Sequence, residues 1–329
     1  MKIFILGSNS FSGASFSDYC LEQGATVFGM SRSLEPQDFF LKYKRNKNFP
    51  KNFNFKQVDL NTDLDDFLSI LDVEKPDYVV NFAAQSMVAE SWLNPIDWFN
   101  TNTIATIKMH DEIRRRTFIK KYVHISTPEV YGSCSGFVTE EHHLNPSTPY
   151  AVSRAAADMS LRTFYDAYNM PYVSTRAANV YGAGQQLYRV IPKLAMKIKM
   201  GEKFQLHGGG VSTRSFIHID DVSSATWTVM ENGASNNIYH ISTKSVISIR
   251  ALVEMICNGL GVSFDEVVEI VSDRVGKDSA YHLDSTKIRE TLNWEDRISL
   301  EAGVDESIKW ITDNFSEMAT LPLEYVHKK

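Results

Sequence analysis

"KIFILGSNSFSG", residues 2–13, decides how the rest of the chain is read. The short apolar run 2–6 reads as a buried strand, and the loop behind it carries Gly7, Ser10 and Gly13 at the three positions of a G-x-x-G-x-x-G pattern, with serine in the middle. A glycine at a strand end permits a tight turn, and the backbone amides that open the following helix can hold a pyrophosphate. That helix is expected to run to Gly24, a good stop signal. An ordinary strand-to-helix turn would look similar in isolation. At the first strand–helix turn of an α/β chain, the pattern points to a dinucleotide site.

Working outward, further apolar runs recur at 26–30, 54–58, 77–82, 122–126 and 171–176, separated by longer amphipathic stretches. Continuous apolar runs between helical patterns are the signature of strands buried on both faces of a parallel sheet. The expected fold is therefore α/β, a Rossmann-type doubly wound parallel sheet. After about residue 176 the alternation weakens and a helix-rich tail begins near 248. This predicts a dinucleotide-binding domain over 1–175 with a return segment at about 215–240, and a smaller, mostly C-terminal α/β lobe from 176–214 and 241–329.

The chain has 329 residues, 43% of them hydrophobic, enough for a full core. A net charge of −6 with interspersed signs offers no basic face for nucleic acid or anionic lipid. Cys20, Cys134 and Cys257 lie far apart, without metal-ligand or disulfide-framework spacing, and read as buried thiols in a reducing compartment. His207 and His218 have no metal-like companions, so no metal is expected. "MKIFILG" breaks too early for a signal peptide, and no run of about 18 apolar residues predicts a membrane span. A soluble cytoplasmic protein is the expectation.

Near the end of the second strand, an NAD enzyme usually places an acid for the adenosine ribose. Here the chain reads "GMSRS", with no acidic residue before Glu35. Ser31, Arg32 and Ser33 can instead receive a 2′-phosphate, which favours NADP, with NAD as the alternative. In "TPYAVSRAAAD" (148–158), Ser147 or Thr148 caps a helix and Pro149 suits its first turn. Tyr150 and Arg154 then share one helical face, where a fixed positive charge can lower a phenol's pKa from about 10 and make it a general base. A plain Tyr–Arg surface contact is the alternative.

Further motifs follow in order: "NFAAQS" (81–86), "STPEVYG" (126–132), "NVYG" (179–182), "RSFIHIDDV" (214–222) and "DRVGKDSAYHLDSTKIRETLNW" (273–294). Together with the glycine loop and Tyr150, the chain resembles the extended short-chain dehydrogenase/reductases that act on nucleotide sugars, closest to the nucleotide-hexose 4,6-dehydratases. The resemblance covers nearly the whole length. It implies cofactor contacts at Gly7, Ser10, Phe11, Ser12, Gly13, Ser31, Arg32, Ser33, Asp59, Leu60, Ala83, Ala84 and Thr101, and at Tyr150 and Arg154. Arg154 stands where the family has lysine; arginine keeps the charge but is planar and bulkier.

For the reaction, the resemblance implies oxidation at C4 with Tyr150 as base and Thr127 bonded to the 4-hydroxyl. Glu129 then takes the C5 proton, water is lost across C5 and C6, and hydride returns to C6. Pro128 replaces the aspartate that is the usual general acid in glucose-type dehydratases, so Glu129 would serve as base and then acid. A 4-epimerase would not need Glu129. Epimerase, decarboxylase and 5,6-dehydratase chemistries remain alternatives, as does a non-catalytic nucleotide-sugar or NADP-binding protein. For the nucleotide sugar, the resemblance implies Ser86, Glu129, Asn179, Arg189, Arg214 and Arg274, the arginine forks suiting phosphate oxygens. It also implies a homodimer through the helix around 98–116 and the helix bearing Tyr150.

Overall fold

The computed structural model describes residues 1–45, 51–272 and 282–328. Alternate side chains of the first strand, β1 (Lys2–Leu6), enter two different cores. Ile3 and Ile5 join Val80, Val123 and Val173, whereas Phe4 and Leu6 join Val79, Tyr122 and Phe67. A strand buried on both faces has no polar side to show, so its apolar run is continuous.

With β2 (Thr26–Ser31), β3 (Phe53–Gln57), β4 (Tyr78–Asn81), β5 (Lys121–Ile125), β6 (Tyr172–Ala177) and β7 (Asn237–Ile241), it forms a parallel sheet of seven strands in the order β7-β6-β5-β4-β1-β2-β3. The first six coincide with the six apolar runs to within a residue at each end. The seventh escapes the pattern because "NIYHI" places a histidine at a fully buried position. There Tyr131 Oη lies 2.7 Å from His240 Nε2, the Asp284 carbonyl lies 3.0 Å from Nδ1, and burial, with Arg176 nearby, pushes the imidazole down to about 3.

Helices α1 (Phe11–Glu22), α2 (Leu64–Glu74), α3 and α4 (Pro149–Tyr168) follow β1, β3, β4 and β5 respectively. The third is continuous, built of Pro95–Phe99, a π-helical stretch Asn100–Ala105 and Thr106–Ile113. The chain then leaves the sheet through Asn179–Tyr181 and α5 (Val190–Lys199), and returns at Phe216–His218, parallel to Asn179–Tyr181, into α6 (Ile219–Asn232). α1 and α6 cover one face of the sheet; α2, α3 and α4 cover the other. A separate core lies outside the sheet, where Ile191 and Leu194 of α5 meet Leu252 and Ile256 of α7 (Ile249–Gly259) and Val304 and Ile311 of α8 (Leu300–Asp313).

Strand order reverses at β1, whose neighbours are β2 and β4. In a parallel sheet the two following connections diverge to opposite faces there, which leaves a crevice at the carboxyl ends of the strands. Among the described residues, no helix is long and apolar enough to cross a membrane.

Candidate active site

The crevice is a cavity of about 470 Å³. Its floor is the glycine loop: Ser10 caps α1 by accepting from the Gly13 amide at 3.0 Å, while its hydroxyl donates to the Gly7 carbonyl at 2.7 Å. Gly7 has φ +78°, and a Cβ there would stand 2.7 Å from the Ala83 amide nitrogen; a Cβ on Gly13 would stand 2.1 Å from the Gly7 carbonyl oxygen. Both positions exclude a side chain, so loop, α1 and the β4 connection close to a distance at which backbone amides can approach a ligand. A pyrophosphate fits this cradle at the start of a 12-residue helix.

Of the residues expected to touch a cofactor, Gly7, Ser10 and Phe11 line the cavity from the loop, and Ser31, Arg32 and Ser33 line it from the end of β2. Asp59, Leu60, Ala83, Ala84 and Thr101 contribute from the other side of the switch point, with Ser86, expected to face the sugar, in the same wall. Ser12 and Gly13 are not part of the lining; Gly13 acts through close packing. Ser31 Oγ accepts from the Asn9 amide at 3.0 Å. Glu35, the nearest acid, accepts from Tyr43 Oη and Lys44 Nζ, each at 2.9 Å.

At the end of β5 the chain enters a 3-10 turn, Pro128–Tyr131, with Thr127 extended before it and Pro128 buried at its first position. The turn folds Glu129 back so that the Thr127 hydroxyl donates to its carboxylate. α4 starts where Thr148 Oγ accepts from the Ala151 amide at 3.1 Å, and its first turn carries Tyr150, 7% exposed, into hydrogen-bond contact with Thr127. Thr127, Glu129 and Tyr150 therefore converge on one point. Tyr150 and Arg154 do not line the main cavity.

The expected drop in the phenol's pKa is not observed. Burial and the Glu129 charge push Tyr150 up to about 12, and Arg154, the Thr127 bond and Arg189 only partly oppose them. Arg154 is 2% exposed, donates to the Ile125 carbonyl, and lies 3.4 Å from His124 Nε2, so its charge is held at the end of β5 and lowers the phenol by less than burial raises it. The expectation of three buried thiols also needs correction, since Cys134 is half-buried, 3.5 Å from His142 Nε2.

Arg189 precedes α5, with its guanidinium 5.4 Å from the centre of the Tyr188 ring, and its charge reaches Tyr150. Arg214 is 9% exposed on the short strand Thr213–Arg214, and Asn179 sits beside it in the fold, its amide donating to the Ser215 carbonyl at 3.1 Å. Arg274 lies outside the described residues.

Residue patterns did not single out Asn102 or Gln85. Fully buried in the π-helical stretch, Asn102 accepts from the Gln85 amide at 2.8 Å and donates to the Gln85 carbonyl and Ser153 Oγ, each at 3.0 Å. Ser153 Oγ in turn donates to the Tyr150 carbonyl at 2.7 Å. This ties the loop after β4 to the first turn of α4, and thus the cavity wall to the tyrosine. A π-helical segment is a known marker of functional positions, but nothing in "NTNTIA" announces one.

Residues 4–307 match the protein family described as GDP-mannose 4,6 dehydratase. The chain is 30% identical over 293 residues to a human dTDP-D-glucose 4,6-dehydratase, covering 86% of this chain and 82% of that protein. It is also 30% identical to a trifunctional UDP-glucose 4,6-dehydratase/UDP-4-keto-6-deoxy-D-glucose 3,5-epimerase/UDP-4-keto-L-rhamnose-reductase of Arabidopsis thaliana, where it covers 80% of this chain but spans only 40% of the plant protein. Among solved structures, the dTDP-glucose 4,6-dehydratase of Streptomyces venezuelae with NAD and TYD bound superposes with a TM-score of 0.86 at 27% identity, covering 96% of this chain and 98% of the other. The UDP-glucose 4-epimerase of Thermotoga maritima reaches 0.85 at 26% identity, covering 96% and 100%.

Proposed function

Because the chain belongs to the GDP-mannose 4,6-dehydratase family, we propose that it is a nucleotide-sugar 4,6-dehydratase that converts a nucleotide-diphosphate hexose to its 4-keto-6-deoxy form. The observation that carries this reading is the convergence of Thr127, Glu129 and Tyr150 at the end of β5, at the same carboxyl edge of the parallel sheet as the loop after β1. The family's relatives of both dehydratase and epimerase type share the fold, so the carboxylate in the cluster is the discriminating feature: it is needed to take a proton from C5, which a 4-epimerase leaves alone.

The residues divide the work as follows. Thr127 holds the 4-hydroxyl and Tyr150 accepts its proton. A nicotinamide dinucleotide bound in the cleft supplies reversible hydride acceptance. Once C4 is a carbonyl, its electron withdrawal acidifies the C5 proton, which Glu129 removes. With Pro128 unable to donate a proton, Glu129 passes the one it has taken to the departing 6-hydroxyl, which leaves as water. Arg189, Arg214 and Asn179, with Arg274, supply cations and a polar group for the diphosphate. Gly7, Ser10 and the amide of Phe11 hold the cofactor's pyrophosphate, since the first amides of a helix have no partner within it.

NADP is the proposed cofactor. Arg32 and Ser33 line the cavity where the adenosine 2′-position would lie, and Glu35 is already committed to Tyr43 and Lys44. The test is mass spectrometry of the purified protein with a panel of nucleotide sugars and no added cofactor, after identifying the dinucleotide it carries. Expected are bound NADP and a product lighter by one water from one substrate. Unchanged mass would favour an epimerase or a binding protein, loss of carbon dioxide a decarboxylase, and bound NAD would remove the NADP assignment.

A homodimer is proposed through α3 and α4. They pack side by side and expose Ile96 and Ile104 on one, Val152 and Met159 on the other. Val152 and Met159 are two helical turns apart, on one face. Sedimentation at micromolar concentration is expected to give a dimer, and a monomer would remove this proposal.

A further inference from the structure

The C-terminal segment, residues 321–328, runs along the mouth of the same cavity. Its exposure alternates: Leu321, Leu323, Tyr325 and His327 are half-buried, while Pro322, Glu324, Val326 and Lys328 are exposed. The half-buried set is the anchor. Leu321 and Leu323 pack on the core around α5, α7 and α8. Tyr325 meets Tyr188 edge to face at 5.4 Å, and His327 stacks on Trp98 at 5.1 Å with Nε2 2.8 Å from Asp97 Oδ2. All four exposed residues belong to the cavity wall, as do Leu321 and Tyr325 of the half-buried set.

The end of the segment closes the opening. The Lys328 carbonyl accepts from Arg32 Nη2 and from Gln85 Nε2, each at 2.9 Å. Arg32 follows β2 and Gln85 follows β4, so this one carbonyl bridges the two lips of the crevice at the switch point. A chain held this way is anchored to the protein body and contributes one wall of the cavity, spanning it from the β2 side to the β4 side.

We propose that residues 321–328 are a strap over the dinucleotide, which retains the cofactor from one turnover to the next. This rests on reading the cavity as the dinucleotide site. It also suits the proposed chemistry, because a cofactor that returns its hydride within each cycle has no need to exchange with solvent. The strap opens only when the Lys328 bonds, the His327–Asp97 contact and the ring contacts break together.

The test is the dissociation rate of NADPH, followed by its fluorescence on chasing with excess NADP, in the absence of any sugar nucleotide. His327→Ala, whose side chain faces away from the cavity, is compared with the parent chain and with a chain ending at Thr320; thermal melting verifies that each is folded. Loss of the stack and the Asp97 contact is expected to speed release about tenfold, corresponding to about 1.4 kcal/mol, and truncation is expected to speed it more. Unchanged release in both folded variants overturns the strap while leaving the cofactor site intact. Slower release, or NADPH binding only after truncation, overturns it in favour of an occluding segment. A parent chain and truncated chain that both bind neither NADPH nor NADH overturn the strap and the functional reading together.

Discussion

Replacing Tyr150 with phenylalanine is expected to lower turnover by about 10²–10⁴-fold, the usual contribution of a positioned proton-transfer group, with the melting temperature almost unchanged. Phenylalanine keeps the ring that packs in a site only 7% exposed and deletes the one atom that meets Thr127. A parallel pH dependence follows from the electrostatics. With the phenol pushed up to about 12, the free protein holds it protonated at neutral pH. The basic form increases as pH rises, so kcat/KM, which reports the free enzyme, should climb through the alkaline range with no plateau below the ordinary phenol value of about 10. Steady-state kinetics of both proteins across pH measure this. A phenylalanine variant that keeps most of its turnover would remove Tyr150 as the base, and a plateau already reached at neutral pH would overturn its raised proton affinity.

The second large effect is on stability. Asp158, one turn beyond Arg154 on α4, is the centre of a buried polar network: its Oδ2 accepts from Ser126 Oγ at 2.6 Å and from Arg176 Nη2 at 2.7 Å, and its Oδ1 lies 3.2 Å from His124 Nε2. Arg176 is 1% exposed, with its guanidinium also donating to Tyr131 Oη and lying 4.7 Å from the centre of that ring. Asp158→Ala would strand this guanidinium without its counter-charge in the interior, at a cost of about 3–5 kcal/mol. The same change loosens the floor beneath Arg154 and the β5 end, so catalysis should fall with stability.

Acid dependence gives an independent check on that assignment. Burial alone would raise the Asp158 carboxyl, but Arg176 and His124 hold it below the ordinary carboxylate range. A depressed carboxyl contributes stability that is fully present above its unfolded-state value of about 3.9 and is lost as pH falls through the folded-state value. The gap between the parent and Asp158→Ala should therefore stay constant through mildly acidic pH and narrow only below about 4. Urea unfolding at several pH values tests this, and a gap that closed near neutrality would mean that the carboxylate is not the stabilising group.

Asp158 and Tyr150 differ in how visible they were. Tyr150 stood out in the sequence because its spacing to a basic residue, the cap at Thr148 and the proline after it are all local. Asp158 and Arg176 lie 18 positions apart on different elements, and only strand β6 packing beside β5 under α4 makes them partners. The same holds for Asn102, whose three hydrogen bonds join a helix, a loop and a second helix. Strand β7 was missed because a buried histidine with partners on distant segments breaks the apolar pattern that marked the other six.

By itself the sequence determined what depends on near neighbours along the chain: the parallel sheet, from apolar runs that need both faces buried; the tight loop after β1, from its glycines; and the cap and first turn of the helix bearing Tyr150. Tertiary structure alone decided what depends on distance through space. It set the proton affinity of Tyr150, because burial and a carboxylate brought back by the 3-10 turn outweigh an arginine one helical turn away. It aimed Arg154 at the end of β5, and it laid residues 321–328 across a crevice whose opposite lips come from Arg32 and Gln85. Hydrogen bonds need heavy atoms about 3 Å apart and charge interactions weaken with separation and with solvent exposure, so both follow the packed arrangement of the chain and leave no periodic mark on its sequence.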